Sequence, residues 1–214
     1  MSVRAVVFDF NGTLSDDEPI LLRIYQELFA EHGRPLSEHE YYSELSGLSE
    51  EEIIGRWLGP FENDRVDDAL VADRIARYRA LVADGSTVYP EVRDAVRYAA
   101  GQVPVAICSG AFAEEIQPVV AAAGLKPFVS VLVAADHVAH GKPHPEGYLR
   151  AAELLAVPPT SLLAFEDTEA GVASARAAGA RVIGITRTLG AERLADAHEL
   201  ADRIDLALLQ RVLA

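Results

Sequence analysis

Five short apolar runs, each ending in polar or turn residues, limit what this chain can fold into more than any other feature. They are residues 3–10 (VRAVVFDF), 103–109 (VPVAICS), 128–135 (FVSVLVAA), 161–167 (SLLAFED) and 180–186 (ARVIGIT). Runs of this length that are apolar almost throughout need cover on both faces, which is the signature of strands in a parallel sheet. Helical patterns such as EEIQPVVAAAGL and GVASARAAGA stand between the later runs. Alternating strands and helices predict an α/β fold, a Rossmann-like three-layer core built on a parallel sheet.

The stretch from residue 16 to 85 breaks this rhythm. It holds no convincing strand, only helical segments such as PILLRIYQELFAEHG, SEEEIIGRWLG and DDALVADRIARYRALVADG. The expected organisation is therefore a core of residues 1–15 and 86–214 with an α-helical lobe, residues 16–85, inserted after the first strand. Hinges are expected near SDDEP and DGSTVYPE, where small polar residues, Gly and Pro cluster.

Composition narrows the function classes. The 214 residues carry a formal net charge of −14, which argues against a broad electrostatic grip on nucleic acid or on an anionic membrane. The single cysteine, Cys108, closes an apolar run and reads as a strand core residue, not as a reactive thiol. With no disulfide framework, no signal-like head and no long uncharged stretch, the expectation is a soluble, cytoplasmic protein, monomeric or weakly dimeric, that handles a small molecule.

In an open parallel sheet, ligands bind beyond the carboxyl ends of the strands. Polar signatures stand at four such places: DFNGTL after the first run, SG after the second, GKPHP in the loop after the third and EDTEAG after the fourth. Asp9, Glu166 and Asp167 should then converge, and three close carboxylates repel unless a cation sits among them. Hard oxygen donors leaving open positions suit Mg²⁺ with a phosphate completing its shell. Lys142 is one of two lysines in a chain whose other basic positions are arginines, so a compact point charge is expected beside the carboxylates. Thr13, Ser109 and Gly110 can add hydroxyl and backbone donors for phosphoryl oxygens.

These four signatures, in this order, resemble the haloacid dehalogenase superfamily of phosphotransferases. The likeness is greatest to the subgroup with a small helical cap after the first strand, which holds phosphoglycolate phosphatase-like and β-phosphoglucomutase-like enzymes, and it covers essentially the whole chain. The resemblance implies Mg²⁺-dependent hydrolysis of a small phosphate ester, with Asp9 as the nucleophile that forms an aspartyl-phosphate. It implies that Asp9, the backbone carbonyl of Asn11, Asp167 and Glu166 surround the metal, and that Thr13, Ser109, Gly110 and Lys142 hold the phosphoryl group. The lobe of residues 16–85 becomes the cap.

The chain departs from that pattern at Asn11. Phosphatases of the superfamily have a second Asp there as general acid and base, and an amide orients a group but delivers no proton. The reading that follows is a slow or substrate-selective phosphatase, with Asp16, Asp17 and Glu18 as the nearest ionisable replacements. The alternatives are a phosphate-ester-binding protein without turnover and a phosphomutase-like member. The mutase pattern fits poorly, because Leu21 stands where it has a histidine and the loop LSGLSEEE offers Ser46 and Glu50 where it has basic residues. Residues 16–85 contain no lysine, which closes the Schiff-base route of the phosphonate-cleaving branch, and the acidic pair Glu166 and Asp167 argues against carbon–halogen cleavage.

Other features read as structural. His137, His140 and His144 flank Lys142 without zinc-like spacing and are expected at the rim of the site. Trp57, Leu58 and Phe61 are expected in the core of the helical lobe. Arg74, Arg77 and Arg79 are expected on a solvated helix face.

Overall fold

The computed structural model describes residues 2–59 and 68–214, so Phe61 lies outside the described residues. The first strand, β1 (Ala5–Phe8), lies between β2 (Val105–Cys108) and β4 (Leu162–Glu166). Beyond β2 lies β3 (Val131–Val133); beyond β4 lie β5 (Arg181–Ile185) and β6 (Glu199–Ala201). The order is therefore β3-β2-β1-β4-β5-β6, with every pairing parallel. The chain leaves β1 toward one edge and returns to build the other, which opens a crevice at the carboxyl ends beside β1.

Alternation along the strands builds two cores from one sheet. Val6, Phe8, Val105, Ile107, Leu163, Phe165, Ile183 and Ile185 pack on one face. Their neighbours Ala5, Val7, Ala106, Cys108, Leu162, Ala164 and Val182 pack on the other. Successive side chains in a strand point to opposite faces, so a run apolar at every position feeds both layers. Helices α5 (Pro90–Ala100), α6 (Ala113–Ala122) and α9 (Leu206–Leu213) cover the first face; α7 (Glu146–Leu154) and α8 (Glu169–Ala177) cover the second. Each of the five expected strands is present, trimmed by one to three residues at its ends. The edge strand β6 and helix α9 had no counterpart in the sequence reading.

Between β1 and α5 the described residues are helical: α1 (Glu18–Glu31), the short α2 (Glu38–Glu40) running into a π turn at Tyr41–Leu45, α3 (Glu50–Leu58) and α4 (Asp68–Val82). Ser37 and Ser49 each open their helix with a reciprocal capping box to Glu40 and Glu52, which satisfies otherwise free amides at both ends of the motif. Leu22, Tyr25, Leu28, Phe29, Tyr41, Leu45, Ile53 and Ile54 form a separate apolar cluster. Trp57 and Leu58 pack against that cluster, with Trp57 stacked on Phe29 and donating from Nε1 to the carbonyl of Arg34 at 2.8 Å. Ile24, Tyr78 and Val82 instead join the core beneath the sheet. Among the described residues no helix is long and apolar enough to cross a membrane.

The chain enters and leaves this helical segment at one place. The amide of Asp16 donates to the carbonyl of Thr87 at 2.8 Å, and the hydroxyls of Ser15 and Thr87 meet at 2.8 Å. Gly85 closes the return with φ of +69°, where a Cβ would press on the backbone of Ala122 and Ala123, so the turn requires glycine.

Candidate active site

The carboxyl ends of β1 and β4 bring Asp9, Glu166 and Asp167 together. One carboxylate oxygen from each lies within 4.8 Å of the others, and all three residues are buried. Two neighbouring glycines show how closely the carboxyl groups are fitted. A Cβ at Gly12, whose φ is +69°, would run into Asp167 Oδ2, and one at Gly171 would run into the Glu166 carboxyl. Thr168, which caps α8 by accepting from the amide of Gly171 at 3.1 Å, fixes the turn that presents Glu166 and Asp167.

Lys142 reaches this cluster from the loop after β3. Its Nζ stands 2.5 Å from Asp9 Oδ1 and 2.6 Å from Glu166 Oε1. Burial opposes its charge, but the two carboxylates outweigh that and hold the ammonium well above the ordinary lysine range. Tyr148, on α7, donates to Glu166 Oε1 and lies under the ammonium, its ring centre 5.8 Å away.

One cation is too little for three carboxylates. Burial, and after it the charges of Asp9 and Glu18, raise Asp167 well above a normal aspartate, and burial likewise raises Glu166. Asp167 Oδ2 and Glu166 Oε2 are buried with no hydrogen-bond partner, an expensive state for a carboxylate. Hard oxygen donors left over at one point fit a divalent cation such as Mg²⁺.

The remaining expected residues fall into place unevenly. Ser109, Gly110, Lys142, Asn11 and Asp9 line one cleft of about 390 Å³, and Ser109 accepts from the amide of Ala111 at 3.1 Å. The Thr13 hydroxyl donates to Asp167 Oδ1 at 3.1 Å and so steadies a carboxylate, without joining the cleft wall. His140 and His144 stand at the cleft rim beside Glu146, whereas His137 is bound to the backbone around β3. Cys108 is buried and its thiol is pushed by burial up to about 12, as a core cysteine should be.

Asn11 is held on both sides. Its Nδ2 donates to Asp17 Oδ2 at 3.0 Å and to the Tyr78 hydroxyl at 3.3 Å. Asp17 also accepts from the amide of Gly12 at 3.2 Å and from Tyr78 at 2.5 Å. Burial pushes its carboxyl up to about 6 against the pull of those donors. Of the three acidic residues 16–18, Glu18 alone lines the cleft. Its Oε2 accepts from Tyr41 at 3.0 Å and from Ser46 at 3.3 Å, and burial followed by the charge of Asp17 pushes it up to about 7. Asp16 faces away, accepting from Tyr89 at 2.5 Å.

The expectation for Arg74 is overturned. It does not lie on a solvated face but is 4% exposed, ion-paired with Glu50 at 2.5 Å and with Glu115 of α6. Helix α4 is pressed onto α6, and an arginine on its inner face is buried with its partners; periodicity alone does not reveal which face meets another element. Arg77 pairs with Glu31 and Asp73, and Arg79 with Glu114, in exposed positions as expected. Arg187, which the sequence reading did not single out, donates to the carbonyl of Gly12 at 3.1 Å and braces the turn after β1.

A family model described as haloacid dehalogenase-like hydrolase matches residues 3–179. Protein CbbY of Rhodobacter capsulatus is 34% identical over 86% of this chain and 85% of its own length. Validoxylamine A 7'-phosphate phosphatase of Streptomyces hygroscopicus subsp. limoneus is 30% identical over 92% of each chain. Among solved structures, a CbbY variant from Rhodobacter sphaeroides in complex with xylulose-(1,5)bisphosphate superposes with a TM-score of 0.82 at 28% identity, covering 94% of this chain and 95% of that one.

Proposed function

Because the chain belongs to the haloacid dehalogenase-like hydrolases and is a phosphohydrolase, we propose that it hydrolyses a small organic phosphate monoester through an aspartyl-phosphate on Asp9. The observation that carries this reading is the convergence of Asp9, Lys142 and Asp167 in the wall of one cleft with Glu166 buried beside them, and two buried carboxylate oxygens left unpartnered. Asp9, Asp167, Glu166 and the backbone carbonyl of Asn11 would hold Mg²⁺. When bound, that ion supplies the positive charge that lets an anionic nucleophile and an anionic phosphate approach each other.

Asp9 attacks phosphorus, forming an acyl phosphate as the ester P–O bond breaks, and the departing oxygen takes up a proton. Water then attacks phosphorus, gives up a proton, and releases inorganic phosphate and the Asp9 carboxylate. Lys142, Ser109 and the Gly110 amide bind the phosphoryl oxygens through both steps, so catalysis is mainly positioning and charge stabilisation. Asn11 holds the turn but moves no proton. Glu18, the ionisable group of the 16–18 turn that faces the cleft, is the donor and acceptor we assign to the leaving oxygen and the water. The helical segment 16–85 acts as a cap that closes over the cleft and excludes bulk water, with its hinges at residues 15–17 and 85–87.

Asp9→Asn is expected to lower Mg²⁺-dependent phosphate release from acetyl phosphate and aryl phosphates by at least about 10,000-fold. Release at the parental rate in that variant would overturn the nucleophile assignment. A parental chain that binds these esters with Mg²⁺ and never cleaves them would instead establish a binding protein.

A further inference from the structure

The half of the cleft away from Asp9 is lined by the helical segment, and its chemistry is unlike that of the phosphate end. Glu50 and Glu51 of that segment and Glu115 of α6 line it, with Arg74 as the cation among them. Arg74 is already shared between two carboxylates, Glu50 at 2.5 Å and Glu115. Glu50 is only 9% exposed at its side chain and also accepts from the Tyr25 hydroxyl through Oε2 at 2.9 Å, yet its Oε1 is buried with no partner. The Nε of Arg74 is unpartnered in the same way. The wall of this end of the cleft therefore holds one buried, unpartnered acceptor on an acidic side chain and one buried, unpartnered donor on a guanidinium whose charge is already met. An anion would find more carboxylates than cations there, and an apolar group would leave both orphaned atoms unsatisfied.

Resting on the phosphatase reading above, we propose that the organic half of the substrate is a hydroxylated skeleton bearing an ammonium group, recognised by Glu50, and that a second anion is selected against. The ammonium donates to Glu50 Oε1, and a neighbouring hydroxyl accepts from Arg74 Nε. Each orphaned atom is then satisfied and the excess negative charge is met.

Three six-carbon 6-phosphates of similar size test this directly: glucosamine 6-phosphate, with an ammonium at C2, glucose 6-phosphate, with a hydroxyl there, and 6-phosphogluconate, with a carboxylate at C1. With Mg²⁺, kcat/KM is expected to fall in that order, with at least a tenfold span carried mainly by KM, and Glu50→Gln is expected to compress the span to within about threefold. A flat or reversed order in the parental chain overturns the proposal, as does an unchanged span in a folded Glu50→Gln variant. Because the parental series needs no variant, a Glu50→Gln chain that fails to fold leaves the test intact. Hydrolysis of p-nitrophenyl phosphate separates the two readings. Cleavage of it together with a flat series overturns this inference alone, whereas no cleavage of any of the four esters overturns the phosphatase reading and this inference with it.

Discussion

At Asn11 a single atom replaces an acid with an amide, and the amide is held by Asp17 and Tyr78. Because Glu18 is assigned the proton transfer that Asn11 does not make, Glu18→Gln is expected to lower turnover of alkyl phosphates by about 100-fold or more and to change acetyl phosphate little, since general acid–base catalysis contributes about 100- to 10,000-fold and matters most for poor leaving groups. Steady-state rates across a leaving-group series check this. Glu18 carries a separate, pH-linked consequence. Its folded pKa, about 7, lies above the ordinary glutamate value, so the folded state binds more protons. The stability linked to it is intact at pH 4, is lost as pH rises toward 7, and stays lost above that. In chelator-treated protein, Glu18→Gln is expected to remove a decline on the order of 3 kcal/mol between those limits, read from urea unfolding at several pH values.

At the scale of elements, Arg74 joins α4 to α6 through Glu115 and to α3 through Glu50. Arg74→Met leaves two buried carboxylates without a counter-charge and is expected to cost about 3–5 kcal/mol at pH 8. The cost is expected to be smaller at pH 5, nearer the range of Glu50, which burial already raises above an ordinary glutamate; chemical denaturation at the two pH values measures it. The same contact marks where sequence reading stops. The strand ends and their polar signatures were legible because each run is bounded by turn residues, and Asp9, Asn11, Ser109, Gly110 and Lys142 do meet in one cleft. Arg74 was misread because its helix bears charges on several faces, and only packing on α6 decides which one is buried. Thr13 was placed on the phosphoryl group, yet its hydroxyl is engaged by Asp167, a partner 154 residues away that local spacing does not indicate. Strand β6 is short and half-exposed, with too few apolar residues to announce itself.

For the whole molecule, the crowded carboxylates make the fold and the proposed cation interdependent. Binding restricted to the native state stabilises it by mass action. Millimolar Mg²⁺ is therefore expected to raise the thermal midpoint by several degrees, and Asp167→Asn to abolish most of that rise, as scanning calorimetry with and without chelator would record. The sheet and the helical segment are coupled at more than their connection. Ser15 and Thr87 touch where the segment joins the core, and it has an apolar cluster of its own, yet Ile24, Tyr78 and Val82 enter the core beneath the sheet and Arg74 pairs with Glu115 of α6. A change in this segment reaches the turn after β1 through Tyr78, which with Asp17 holds Asn11 two residues from Asp9. Whatever alters the helices over the cleft is therefore felt beside the proposed nucleophile as well, so the choice of molecule and the chemistry done on it are revised together.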